Sequence, residues 1–217
     1  MPDIRIAVDA ASVSASVRGQ GETVVALGHG AGGDRKNPFL VDLAEVLAAS
    51  GRQAVLYNFP YTEAGRGRPD PPALLEATVA AVAEHARTAL GARLLVLGGK
   101  SMGGRIASQA VAAGLAADGL AFLGYPLHPP GKPETLRDRH LPRIAAPMLF
   151  LQGTRDAFAR MDLLESVLAR LGDRATLHVV EDGDHSFAVR KSKGRTAPEV
   201  REEIHRTLLG WLDVHGL

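Results

Sequence analysis

The sequence predicts an α/β protein in which helices flank a mostly parallel central sheet. Two observations lead to this fold class: short apolar runs that do not alternate with polar residues, and helical segments that separate those runs. Continuous apolar runs are typical of strands buried on both faces, as in parallel sheets. Strands that alternate with helices along the chain favour the same architecture. At 217 residues, we expect one domain spanning residues 1–217.

Eight segments have the pattern of strands. The first two alternate polar and apolar residues, so they are predicted to be half-buried: 4–8 and 13–17. The buried type follows at 23–28, 54–59, 93–98, 120–124 and 147–152, with a further strand at 176–180.

Helices are predicted between these strands. Asn37 followed by Pro38 indicates a helix cap and first turn, and Pro71-Pro72 opens a second helix. Apolar residues at helical spacing predict three more, at 102–117, 161–171 and 198–215. The Pro/Gly-rich loops 59–72 and 125–146 have a length that usually serves function.

Composition excludes several classes of protein. The chain is 46% hydrophobic and 23% charged with a mean hydropathy of +0.01, which is ordinary for globular proteins. No apolar run approaches the ~20 residues of a membrane span, and the first residues lack the apolar segment of a secretory signal. The absence of cysteine excludes thiolate metal sites and a cysteine nucleophile, and it fits a cytoplasmic protein. A net charge of +1 predicts no nucleic-acid partner.

Ser101 lies in the most informative motif, Gly99-Lys100-Ser101-Met102-Gly103, between a predicted strand and a predicted helix. In that context G-x-S-x-G indicates a serine nucleophile on a tight turn. A plain glycine-rich turn is the alternative. A phosphate-binding P-loop would need glycine at position 94, where this chain has leucine.

The loop His29-Gly30-Ala31-Gly32-Gly33 follows another predicted strand. Such a turn leaves backbone N–H groups free, so we expect the N–H groups of Ala31 and Met102 to form an oxyanion hole. A plain turn or a phosphate-binding nest is the alternative, and His29 is expected to brace the loop.

A serine nucleophile needs a base and an orienting acid, in the chain order serine, acid, histidine. Asp156 follows one predicted strand and His185 follows the next, so both should emerge at the sheet edge of Ser101. The other histidines lie within helices or strands, at the C-terminus, or before the acid. Asp182 and Asp184 are too close to His185 along the chain to reach its far ring nitrogen comfortably.

Four motifs together resemble the α/β-hydrolases: GHGAGG at 28–33, GGKSMGGR at 98–105, QGTRD at 152–156 and GDHSF at 183–187. They are most similar to the small dienelactone-hydrolase-like branch of the KANL/Tex type, from about residue 13 to the end. The resemblance implies an α/β-hydrolase fold with Ser101 as nucleophile, Asp156 as acid, His185 as base, and Ala31 and Met102 as oxyanion donors. Dienelactone hydrolases use a cysteine nucleophile, which this chain lacks, and some members of the KANL/Tex branch are subunits of larger complexes.

The 55 residues between Ser101 and Asp156 are used up by predicted elements, so no lid domain is expected. Such an open site suits a small acyl group. The side chains expected to wall it are Tyr61, Tyr125, Leu127, Phe158 and Phe187. Ten basic against seven acidic residues in the surrounding loops predict either a rim for anionic substrates or an acidic partner, or simply a solvated loop.

The sequence therefore predicts a serine hydrolase for a small carboxylic ester or thioester, acting without metal or cofactor and without a membrane partner. A non-catalytic interaction module with the same fold is the alternative.

Overall fold

The computed structural model describes residues 3–9 and 11–217. Its strands are β1 (Asp3–Val8), β2 (Ala11–Arg18), β3 (Thr23–Gly28), β4 (Gln53–Tyr57), β5 (Leu94–Lys100), β6 (Gly119–Leu123), β7 (Met148–Gly153) and β8 (Ala175–Val180). Its helices are α1 (Pro38–Ala49), α2 (Pro60–Glu63), α3 (Pro72–Thr88), α4 (Met102–Ala112), α5 (Met161–Ala169) and α6 (Ala197–Val214). Single 3₁₀ turns occur at Leu141–Arg143, Gly172–Arg174 and Lys191–Lys193.

Within the described residues the eight strands form one sheet, ordered β1-β2-β4-β3-β5-β6-β7-β8. The pairs from β4 to β8 along this order are parallel, while β1 and β2 join the edge in antiparallel register. Strands β6 and β7 are buried at every position, which explains their unbroken apolar sequences. The predicted fold class, a mostly parallel sheet flanked by helices, is confirmed.

Helices cover both faces of the sheet. Leu43 and Leu47 of α1 and Ile204 and Leu208 of α6 pack against one face. Helices α3, α4 and α5 supply the apolar side chains that cover the other. Because successive side chains of a strand point to opposite faces, each buried strand contributes side chains to the apolar packing on both faces of the sheet.

Helix ends follow the predicted signals in two cases. The Asn37 side chain accepts hydrogen bonds from the N–H groups of Phe39 and Leu40, and Pro38 begins α1. Helix α3 begins at Pro72, directly after Pro71, as predicted. Helix α6 begins with a reciprocal capping box between Thr196 and Glu199, which was not predicted from the sequence.

Several predicted boundaries differ from those of the structure by two residues or more, and two of these differences have a clear local cause. Helix α4 ends at Ala112 rather than 117, because Gly114 takes a φ of +114° and Leu115 N–H bonds back to Ala110 O in a Schellman motif. Strand β4 ends at Tyr57, and α2 occupies part of the predicted loop, with Pro60 in its first turn.

Between Ser101 and Asp156 the chain forms α4, β6, a loop with one 3₁₀ turn, and β7. The expected absence of an inserted lid in this interval therefore agrees with the described structure. Within residues 3–9 and 11–217, no helix combines the length and apolar character that crossing a membrane requires.

Candidate active site

Ser101 lies at the turn that joins β5 to α4, with φ +50° and ψ −111°. A non-glycine residue in this region is strained by about 1–3 kcal/mol and persists only where its surroundings fix it. The serine N–H donates to Leu123 O at 3.1 Å, and its carbonyl accepts from Arg105 N–H at 3.1 Å. These bonds to β6 and α4 fix the turn that exposes the hydroxyl.

The glycines around Ser101 allow β3 to approach the turn. Gly99 has a φ of +142°, and a Cβ atom on it would lie 2.1 Å from Gly28 O. A Cβ atom on Gly103 would lie 2.2 Å from the same oxygen. Only glycine fits at either position, so the G-x-S-x-G pattern reflects direct backbone contact between the turn and the end of β3.

Ser101, His185 and Asp156 form a continuous chain of hydrogen bonds. His185 Nε2 lies 2.8 Å from Ser101 Oγ, and His185 Nδ1 lies 2.7 Å from Asp156 Oδ2. A carboxylate accepts only, so Nδ1 holds the ring proton and Nε2 is left to accept from the serine hydroxyl. The Asp156 side chain is fully buried, whereas 24% of the His185 side chain is exposed.

Two further donors hold Asp156 in place. Gln152 Nε2 donates to Oδ2 at 2.6 Å, and the N–H of Phe158 donates to Oδ1 at 2.8 Å. Gln152 is fully buried at the end of β7, where its Oε1 accepts from Tyr125 N–H at 2.8 Å. Sequence reasoning missed this role of Gln152, although an amide at the end of an apolar strand was a usable signal.

His29 braces the glycine loop after β3, as expected. The N–H of Phe59 donates to its Nε2 at 3.3 Å, and its Nδ1 lies 2.8 Å from Gly30 O. Nε2 therefore accepts and Nδ1 donates. Burial lowers the pKa of His29 below its usual value, which keeps the ring neutral.

The two expected oxyanion donors belong to the start of α4 and to the glycine loop after β3. Met102 is the first residue of α4, so its N–H belongs to the helix end whose donors have no partner within the helix. Ala31 follows Gly30, and a Cβ atom on Gly30 would lie 3.6 Å from Ser101 Cβ. The role of these two N–H groups stays a prediction.

A second serine–histidine contact occurs beneath α4. Ser108 Oγ lies 2.7 Å from His140 Nε2, but it also donates to Arg105 O at 2.7 Å. Because a hydroxyl has one hydrogen, His140 must donate to Ser108 and cannot accept its proton. Burial and the charges of Arg105 and Arg143 lower the pKa of His140 to about 4. Ser108 is fully buried, so this pair is structural.

Two of the five side chains expected to wall the site lie beside the hydrogen-bonded chain of Ser101, His185 and Asp156. The centre of the Phe158 ring is 4.3 Å from that of the His185 ring. Phe187 lines one end of an open groove of about 570 Å³ between α1 and α6. That groove is lined mainly by Phe39, Phe187, Ala188, Val200, Ile204 and the polar pair Asp42 and Arg201. The expectation for Tyr125 and Leu127 was wrong, since both are buried in the core. Tyr61 is also buried, but its hydroxyl accepts a hydrogen bond from the Gly32 N–H at 3.3 Å, and it lines a second cavity of about 550 Å³ beside the glycine loop.

Most arginines of the expected basic rim form ion pairs. Arg155 and Arg190 both contact Asp182, whose pKa Arg190 lowers to about 2. The remaining pairs are Arg35–Asp3, Arg66–Asp70 and Arg195–Glu203. Across the described part of the chain, no three His, Cys, Asp or Glu side chains converge as metal ligands would.

Comparison with known proteins places this geometry in context. The model of the alpha/beta hydrolase domain family matches residues 21–213. The fold is similar to that of an α/β serine hydrolase without a lid from Xanthomonas campestris, with 20% identity, a TM-score of 0.75, and coverage of 97% of this chain and 94% of that one.

Two other solved structures are similar to the same extent. A serine hydrolase homologue from Coxiella burnetii has 20% identity and a TM-score of 0.75 over 95% of this chain and 97% of that one. The dienelactone hydrolase from Anabaena variabilis has 19% identity and a TM-score of 0.74 over 97% and 95%. At these identities the likeness concerns the fold, and the narrower dienelactone-hydrolase-like branch stays a prediction.

Proposed function

Because the chain belongs to the α/β-hydrolase family, we propose that it is a serine hydrolase that cleaves a small carboxylic ester or thioester. The observation that supports this most directly is the hydrogen-bonded chain from Ser101 through His185 to Asp156. The proposal includes the assignment of these three residues as nucleophile, base and acid, and the treatment of residues 1–217 as one domain.

In the proposed reaction, Ser101 Oγ attacks the substrate carbonyl while its proton passes to His185 Nε2. The imidazolium that forms is stabilised by Asp156, which stays ionised. His185 then gives the proton to the leaving alcohol or thiol as the C–O or C–S bond breaks. Water attacks the acyl-enzyme by the same proton route and releases the acid and free serine.

The negative charge on the carbonyl oxygen needs two aligned donors during both attacks. We assign this role to the N–H groups of Ala31 and Met102, which belong to the glycine loop and to the start of α4. Such preorganised donors are worth about 10²–10³ in kcat each in other serine hydrolases. The positive end of the α4 dipole adds to the same field.

The surroundings favour a small acyl group. No lid lies between the proposed nucleophile and acid, and two of the five expected apolar walls, Tyr125 and Leu127, belong to the core. The pairing of rim arginines with carboxylates favours the solvated-loop interpretation over a preference for anionic substrates.

Labelling with a fluorophosphonate tests the proposal, because the probe phosphonylates an activated serine with loss of fluoride. We expect one label per chain in the wild type and none in Ser101→Ala. Ser101→Ala should also lose turnover of short p-nitrophenyl esters. The rate that remains should exceed the uncatalysed rate in water by at most roughly 10³–10⁴-fold, which binding and the oxyanion hole supply.

Ser108→Ala is the matched control, since Ser108 also contacts a histidine but is buried. It should retain full labelling. Labelling that persists in Ser101→Ala would refute the nucleophile, and a wild type that neither reacts nor turns over esters would favour the interaction module.

A further inference from the structure

Lys100 is the last residue of β5 and directly precedes Ser101. Its side chain does not extend into solvent, as most lysines do, but is half-buried beneath the loop that contains His185. There the Nζ atom donates a hydrogen bond to the backbone carbonyl of His185. The residue next to the nucleophile thus contacts the backbone of the base, 85 positions later in the chain.

The space around this ammonium group is formed by two other residues. The Nζ atom lies 5.0 Å from the centre of the Phe187 ring, within range of a cation–π contact. Gly124, at the end of β6, has no side chain to fill the space: a Cβ atom there would lie 3.1 Å from Lys100 Nζ and 3.5 Å from His185 Nδ1. The ammonium and the imidazole therefore border the same space, which the absent side chain of Gly124 leaves open.

This environment disfavours the charged form. Burial lowers the pKa of Lys100 to about 8, against the opposing attraction of Asp156 and Asp184. Within the described residues, Lys100 forms no ion pair, whereas the neighbouring side chains of Arg155, His185 and Arg190 each form one. Because burial costs the ammonium group part of its hydration, Lys100 does not have the usual role of a surface lysine, which is to keep the protein soluble.

We propose that Lys100 is a positioning residue, which anchors the backbone carbonyl of His185 and thereby holds the imidazole against Ser101 Oγ. This inference rests on the proposed serine hydrolase function. The loop from Asp184 to Ala188 contains the base but forms no regular element, so its position depends on such contacts. A displacement of about 1 Å in a catalytic group can cost about 10²-fold in rate.

Lys100→Met tests the anchor, because methionine has a similar length but neither charge nor donor. We expect kcat for p-nitrophenyl acetate to fall about 10–100-fold with little change in KM, since the ammonium orients the base and does not touch substrate. Lys100→Gln keeps a shorter, neutral donor, so its kcat should lie between those of the wild type and Lys100→Met. Lys191→Met, at an exposed lysine, should match the wild type.

The pH profile separates this role from a merely structural one. The ammonium is present below pH 8 and lost above it, and a charged donor makes the stronger hydrogen bond. Wild-type kcat should therefore decline as the pH rises through about 8. Lys100→Met should lack that decline, because it has no ammonium to lose.

Amide hydrogen exchange supplies a readout that needs no activity. In Lys100→Met, exchange should accelerate at residues 184–188 and stay unchanged in β5 and β6. Should the wild type neither react with fluorophosphonate nor hydrolyse esters, the proposed function fails while exchange still tests the anchor. If Lys100→Met has the same kcat, the same pH profile and the same exchange rates at residues 184–188 as the wild type, the positioning role of Lys100 is refuted. If Lys100→Met does not fold, the kinetics of Lys100→Gln and the amide exchange of residues 184–188 in the wild type between pH 7 and 9 test the positioning role instead.

Discussion

Asp156 determines which nitrogen of His185 holds the proton, because its carboxylate can only accept from Nδ1. Asp156→Asn removes that constraint, since the amide can donate and so favour the wrong tautomer. We expect kcat to fall by about 10⁴-fold, as in other triads with this change. Steady-state kinetics on a short ester measures the loss.

The control is Asp184→Asn, at the acid adjacent to His185 in the chain. Asp184 Oδ1 accepts from the N–H groups of Ser186 and Ala188, a role that an asparagine oxygen can keep. Activity within a few-fold of the wild type is expected. A larger loss in Asp184→Asn than in Asp156→Asn would reverse the choice of acid.

Residue identity and order predicted which residues meet at the site, but not what holds them there. Ser101, Asp156 and His185 follow three strands that end at one sheet edge, and such an edge is predictable from hydrophobic pattern. The contacts made by Gln152 and Lys100 are not, because they depend on side-chain direction across distant loops.

At the scale of elements, the packing of α4 on β3 depends on Gly103. A Cβ atom there would meet Gly28 O at 2.2 Å and Gly28 C at 2.4 Å, and neither backbone atom can move freely. We expect Gly103→Ala to lower the free energy of unfolding by about 3 kcal/mol or more. Urea denaturation followed by circular dichroism checks this.

Gly210 provides the matched comparison, since it is exposed within α6 and a Cβ atom on it meets nothing within 4 Å. Gly210→Ala should raise the free energy of unfolding by about 0.5–1 kcal/mol, because alanine favours the helix. Equal effects of the two substitutions would show that close packing at Gly103 is not limiting.

The elements themselves were largely predictable, and the errors have local causes. The type and order of the strands and longer helices follow from apolar spacing. The end of α4 depends on the conformation of Gly114, and the burial of Tyr125 depends on a hydrogen bond from its hydroxyl to Arg137 O. Neither can be deduced from periodicity.

At the scale of the whole molecule, the ion pairs among the rim arginines leave little excess field near the site. We expect kcat/KM for a carboxylate-bearing ester, relative to its neutral analogue, to change less than about twofold between roughly 0.05 M and 0.5 M salt. Replacing Lys191 and Lys193 by serine should have a similarly small effect. A selective, steep loss for the anionic ester would restore the basic rim as a determinant of substrate.

The contact of Gly28 with both Gly99 and Gly103 has a consequence for how the enzyme would fail on heating. Gly28 directly precedes the glycine loop, so Ser101 and the loop proposed to supply an oxyanion donor share one rigid support in the middle of the sheet. His185, the proposed base, lies on an irregular loop beyond the edge strand β8. Local opening starts where packing is least extensive. Inactivation should therefore precede unfolding, leaving a transient species in which the serine turn is intact but its proton acceptor has moved away.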